Sequence, residues 1–476
     1  MYQRLRSALA CAGLALAAAG CGGSGAEPGS DRDRLDRLIG TEASAREALG
    51  EITRERDRRF AGPLIELLRA NELGLVRTLS GSEIADGLER ITGRDGGLDW
   101  DAWVEWYAST DIEAPSGFRA WKGGILSRID SGFGAFFDER LPSEIRVEEV
   151  VWGGVALDGI PALDDPATLP AARARYLDED DPVFGVALGG EARAYPLRIL
   201  DWHEMVNDTV GGRAVSLAYC TLCGAGVLFA TETDERTYTF GSSGFLMRSN
   251  KLMYDRQTRT LWNQLTGRPV LGELAGDEVE LETLPVVVST WGRWRERHPD
   301  TTVLDIRTGH DRPYSRGAAY GDYFASPEAM FPVGPPGRGL RTKERVFALR
   351  VGDAPKAYPL DRVTEERVIN DRLGGRGVVV VAAGERIATR GRDERTGVDV
   401  EYDSGAEVRA YERGRHRFAG HGSDALRDER GRRWRVTEDA LAGPGGERLE
   451  RLGGHLAYAF GWLSYFPRSE VYGEEG

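Results

Sequence analysis

Cysteine is scarce in this chain, with four residues in 476, so the protein is no disulfide-dense scaffold and must hold itself together through an apolar core. Long apolar runs are missing as well: beyond the first twenty residues no segment is apolar enough to span a bilayer. Positive charge is not in excess either. The formal net charge is -14, and it becomes more negative once a leader carrying Arg4 and Arg6 is removed, which disfavours phosphate backbones and argues for no nucleic-acid partner. No phosphate-binding loop or dinucleotide fingerprint occurs, and Gly241-Ser242-Ser243-Gly244 lacks the spacing of a serine nucleophile elbow.

What is present supports folding throughout. With 41% hydrophobic and 29% charged residues, at a length beyond one ordinary core, the composition predicts two or three folded domains. The N-terminus reads as an export signal over 1–20: Arg4 and Arg6 are basic, Ala8 to Ala19 is a short apolar run, and Ala18-Ala19-Gly20-Cys21 closes it with small residues before a cysteine. This pattern resembles a bacterial lipoprotein signal, which implies acylation at Cys21. The expected location is the cell envelope, facing periplasm or exterior, with the membrane as partner through the lipid and a flexible tether over 21–30.

Residues 31–145 read as a helical N-terminal domain, in which Trp100, Trp103 and Trp106 recur at every third position and predict a packed core stripe. Past about Arg146 the texture changes to short runs of β-formers broken by glycine and proline. The expected fold class is α+β: a helical domain followed by two tandem β-rich modules, mostly antiparallel.

The tandem arrangement comes from an internal repeat. Ala194-Tyr195-Pro196-Leu197 returns as Ala357-Tyr358-Pro359-Leu360, and Asn207-Asp208 with Gly211-Gly212-Arg213 returns as Asn370-Asp371 with Gly374-Gly375-Arg376, both at an offset of 163. Trp294 with Pro299 matches Trp462 with Pro467 at an offset of 168. These blocks place a first module at 146–341 and a second, degenerate copy at 342–476, with Phe331 to Gly339 as linker.

A duplication acts as an internal control, because residues needed only for folding should recur while those serving a site need not. Shifted by 163, His203 falls on Glu366, Cys220 on Ala383 and Cys223 on Arg386, so any chemistry belongs to the first copy. Its C-x2-C pair, with His203 and Met253, offers two thiolates, an imidazole and a thioether, a soft donor set suited to copper or zinc. The same cysteines, exported to an oxidising compartment, also read as a redox-sensitive dithiol. The competing reading is a non-catalytic binding or scaffold protein in which they form a structural disulfide; no reaction, substrate or protein partner is legible.

The segments Asp201-Trp202-His203-Glu204-Met205-Val206-Asn207-Asp208, Tyr219-Cys220-Thr221-Leu222-Cys223-Gly224 and Met253-Tyr254-Asp255-Arg256-Gln257-Thr258, with Asp158-Gly159-Ile160-Pro161 upstream, resemble the bacterial and archaeal family known as domain of unknown function 3179. The resemblance covers about Val151 to Tyr472. It implies an exported protein but no assigned reaction.

Overall fold

The computed structural model describes residues 27, 29–420, 422 and 424–474. The expected signal, the acylation site Cys21 and most of the tether lie outside the described residues. No helix among the described residues is long and apolar enough to cross a membrane.

The N-terminal part is helical: Asp31–Leu38, Glu42–Glu55, Ala61–Glu72, Gly81–Thr92, Trp100–Ala108 and Phe118–Leu126. Local chemistry sets these boundaries. Ser80 and Glu83 form a reciprocal capping box at the start of Gly81–Thr92, and Gly93 ends that helix in the left-handed region at φ 76°. The tryptophan stripe is a core face, with Trp100 and Trp103 buried and Trp106 half-buried against them. Phe133, Phe136 and Phe137, each buried, then pack around Phe245 at ring separations of 4.6, 5.9 and 5.3 Å. At about 1.5–3 kcal/mol per buried ring, these contacts fix the helical domain to the first module.

The two β-rich modules are structural copies in close detail. In the first, the hairpin Pro182–Leu188 and Glu191–Pro196 is flanked by the antiparallel strand Val287–Thr290 and the parallel strand Thr302–Leu304. In the second, Arg345–Val351 and Ala354–Pro359 are flanked by His455–Tyr458 and Glu470–Val471 in the same senses. Registers agree across the copies: Gly185 pairs Val287 as Ala348 pairs His455, and Arg193 pairs Thr302 as Lys356 pairs Glu470.

The repeated motifs now have physical roles. Tyr195 donates to Asp208 at 2.8 Å and Tyr358 to Asp371 at 3.0 Å. Asn207 exchanges two hydrogen bonds with the backbone of Phe240, and Asn370 does the same with Phe418. The Gly-Gly pairs form two-residue hairpin turns with both φ values positive, 58° and 77° at Gly211-Gly212, 56° and 77° at Gly374-Gly375. Trp294 and Trp462 each donate an indole N–H to a hydroxyl, of Thr301 and Ser469.

The copies diverge where the cysteines lie. In the first, strand Arg213–Cys220 turns at once into Ala225–Ala230. In the second, the corresponding strands are extended into a long arm, Arg376–Arg392 and Asp399–Glu412, which lies over the segment after the first copy's last strand. Tyr402 of the arm packs on Phe324 at 5.1 Å, and Asp393 accepts from the Asp322 amide at 3.1 Å.

The copies meet reciprocally: Val287–Thr290 packs against Asp399–Glu412, and His455–Tyr458 against Ala225–Ala230. A buried network joins them, in which Glu438 accepts from Arg409 and Arg451, and Arg293 and Arg297 of the first copy reach Glu407 at 3.1 and 3.3 Å.

Candidate functional site

The C-x2-C segment forms the turn between two apolar strands, and both cysteine side chains are buried in the core. Cys220 and Cys223 are joined by a disulfide with Cα atoms 5.5 Å apart, and their residues are 2% and 0% exposed. The Cys223 amide donates to Cys220 Sγ at 3.2 Å. Cys223 Sγ lies 3.8 Å from Gln264 Oε1, and the amide of Gln264 is fixed by donation to the carbonyls of Ala218 and Ala225 at 2.9 and 3.1 Å.

Both copies' surroundings hold this turn in place. Tyr323 donates its hydroxyl to the Leu222 carbonyl, and the Tyr458 amide donates to the Cys223 carbonyl at 2.8 Å. Gly224 takes φ 61°, and a Cβ there would stand 3.0 Å from the Tyr458 ring and 3.2 Å from Arg345, so glycine is needed for both backbone and space. Gly461 likewise lets the helix Ala459–Tyr465 approach Cys223, since a Cβ on it would come within 2.9 Å of the cysteine Cβ.

Beneath the turn lies a buried ionic pair. Lys251 donates to Glu204 Oε2 at 2.5 Å, and Thr221, between the cysteines, donates to Glu204 Oε1 at 2.7 Å. Thr221 is fully buried, and Glu204 and Lys251 are each 5% exposed. Tyr320 approaches the same carboxylate oxygen at 3.5 Å. Close by, Asp201 is buried with one carboxylate oxygen unpartnered, and burial together with Glu204 holds its carboxyl well above the usual range. Burial and then Arg345 push the Lys343 ammonium down to about 7; it stands over the rings of Tyr323 and Tyr458 at 3.6 and 5.0 Å.

The other expected donors are placed differently. His203 is fully buried, and both ring nitrogens are engaged, Nδ1 with the Pro161 carbonyl at 2.8 Å and Nε2 with the Tyr314 hydroxyl at 2.6 Å. Burial pushes its pKa down to about 4, so the ring is neutral. Met253 is fully buried in a strand, paired opposite Trp262 and Ser242. Among the described residues no group of three or more histidine, cysteine, aspartate or glutamate side chains is placed to hold a metal ion. The structure therefore brings the two sulfurs together with each other and seats the imidazole in a separate hydrogen-bonded niche.

Sequence reasoning missed Lys251, Thr221 and Gln264, and the clamp of Tyr323, Arg345 and Tyr458. One signal was available: Lys251 interrupts the otherwise uncharged run Phe245–Tyr254 apart from Arg248, and a lone lysine in a core strand needs a buried partner. The clamp residues come from the end of the first module and from the second copy, far away along the chain.

No curated protein and no solved structure matches the chain. A family model described as protein of unknown function (DUF3179) matches residues 157–469, which span both copies, the cysteine turn and the Glu204–Lys251 pair. The chain belongs to the DUF3179 family.

Proposed function

We propose that the first copy carries a thiol–disulfide couple, Cys220 and Cys223, in a protein exported and lipid-anchored at Cys21 to the cell envelope, with the second copy as the scaffold that encloses it. One observation carries this reading: the disulfide sits beside the buried acids Glu204 and Asp201, which the second copy replaces with Arg367 and Thr364 at the matching positions. A staple across so short a loop restricts the unfolded chain by only about 2 kcal/mol. Burying an ion pair beside it carries a desolvation penalty of several kcal/mol per ion before the mutual attraction is counted, which a staple does not require.

The local geometry suits the reduced state as well as the oxidised one. The Cys223 N–H would stabilise a thiolate on Cys220, while Gln264 Oε1 would accept the Cys223 thiol proton. In exchange with a small dithiol, the protein S–S bond breaks and one S–S bond forms in the donor; of the donor's two thiol protons one passes to Cys223 and the other to solvent, which leaves Cys220 as the thiolate. Because both sulfurs are enclosed, the turn must open for exchange, so the rate is slow while the equilibrium is unaffected.

The test is titration of the folded full chain in glutathione redox buffers, counting free thiols by mass after alkylation, with metal content measured on the reduced protein. Two thiols appearing together in the native state support the couple. A pair that stays oxidised under excess dithiol until the protein is denatured overturns it in favour of a staple. Copper or zinc near one per chain, lost in Cys220→Ser, overturns it in favour of a soft-metal site.

A further inference from the structure

Resting on the thiol–disulfide reading, we infer that the buried Glu204–Lys251 ion pair, docked on Thr221 inside the cysteine loop, sets the redox poise of the couple. The link is direct: Thr221 stands between the two cysteines and its hydroxyl is bonded at 2.7 Å to the carboxylate that Lys251 neutralises at 2.5 Å.

The duplication shows that the fold does not require this pair. The helices Leu197–His203 and Leu360–Glu366 end alike, at residues with positive φ, 56° at Glu204 and 62° at Arg367. The backbone is the same, yet the side chain is a carboxylate in the copy with cysteines and a guanidinium in the copy without them. Thr221 likewise falls on Gly384, and Asp201 on Thr364. The buried acid, the buried hydroxyl and the cysteines are thus present together in one copy and absent together from the other.

Electrostatics gives each member a sign. Reduction creates negative charge on Cys220 in a water-poor interior, where charges act far more strongly than in water. The Lys251 ammonium favours that charge and the Glu204 carboxylate opposes it, so the intact pair is nearly balanced and removing either member unbalances it. The other groups facing the loop are Asp201, Lys343 and Arg345 and the hydroxyls of Tyr219, Tyr320, Tyr323, Tyr402 and Tyr458. Burial holds the Asp201 carboxyl above its usual range, and it raises the tyrosines above theirs, so the tyrosines carry no charge at pH 7. The tyrosines stay uncharged in every variant below.

The experiment measures the equilibrium of the full chain with glutathione at pH 7. Glu204→Gln leaves Lys251 unopposed and moves the equilibrium toward the dithiol by about tenfold, or about 30 mV for two electrons. Lys251→Met leaves the carboxylate unopposed and moves it toward the disulfide by about the same factor, while the double variant stays within about threefold of the parent. A purely structural role would move both single variants in one direction. Because an isolated buried charge can prevent folding, Thr221→Val provides a variant of unchanged net charge: loss of its hydroxyl leaves Glu204 less compensated and moves the equilibrium toward the disulfide. Single variants that shift the same way, or Thr221→Val and the single variants all indistinguishable from the parent, overturn the inference while the couple itself stands. A parent chain that never exchanges overturns the couple instead.

Discussion

Glu438→Gln offers a quantitative test of how the two copies are held together. Glu438 is 5% exposed and accepts from Arg409 Nε at 3.0 Å to each oxygen, from Arg409 Nη2 at 2.5 Å, and from Arg451 Nη1. Arg409 is 1% exposed, and Arg297 of the first copy stands 3.9 Å away, so the carboxylate balances guanidinium groups from both copies. Glutamine keeps the shape and removes the charge. Charged hydrogen bonds contribute about 1.5–3 kcal/mol each and breaking a buried pair about 3–5 kcal/mol, so the expected loss is about 3–5 kcal/mol at pH 7. Burial by itself would raise the Glu438 pKa; the charges of Arg409 and Arg451 overcome it and hold the carboxyl well below its ordinary 4.5. A depressed folded-state pKa contributes stability above the unfolded value and loses it as pH falls through the folded one. The difference between parent and variant should therefore be full at pH 7 and shrink below about pH 4.5. Urea unfolding followed by tryptophan fluorescence reads both, with Glu429→Gln, at a 44% exposed side chain, as a control expected within about 0.5 kcal/mol. A loss under about 1 kcal/mol at pH 7, or a difference that persists undiminished in acid, would refute the proposed role of the network.

Two further outcomes probe the turns and the buried histidines. Gly211→Ala should destabilise more than Gly212→Ala, because both have positive φ but only at Gly211 does an added Cβ meet the Leu188 carbonyl, whereas Gly212 has open space. About 1–2 kcal/mol is expected at Gly212 and clearly more at Gly211, read from urea midpoints; equal losses would contradict the turn geometry. Burial holds His455 down to about 4 against its ordinary 6.5, so the folded chain keeps it neutral while the unfolded chain takes up a proton below 6.5. Stability should fall by up to about 3 kcal/mol as pH drops from 6.5 to 4, and His455→Gln should flatten that part of the profile, His203 contributing a second, independent slope of the same sign.

Much of the fold was legible because repeated blocks report repeated structure. The Tyr-Pro-Leu, Asn-Asp and Gly-Gly motifs recur since each does the same local job in both copies: a tyrosine donates to an aspartate, an asparagine bridges to a phenylalanine backbone, two glycines close a hairpin. The tryptophan stripe was legible for a similar reason, because helical spacing puts residues three apart on one buried face. The arm of Arg376–Arg392 and Asp399–Glu412 was not, since an insertion inside a β-run changes strand length without altering the texture that signals a strand. Nor was the placement of His203, whose partners Pro161 and Tyr314 lie far from it in sequence.

The sequence by itself determined the duplication, the helical and β-rich division, the turns, and which copy carries the cysteines. These depend on local φ/ψ preferences and on apolar periodicity, which act over a few residues. Only the tertiary structure decided what surrounds those cysteines: Glu204 and Lys251 are 47 residues apart, and Tyr323 and Tyr458 reach the turn from the end of the first module and from the second copy. Buried charges and clamps are pairings across the chain, set by which surfaces pack together, and no local preference encodes them.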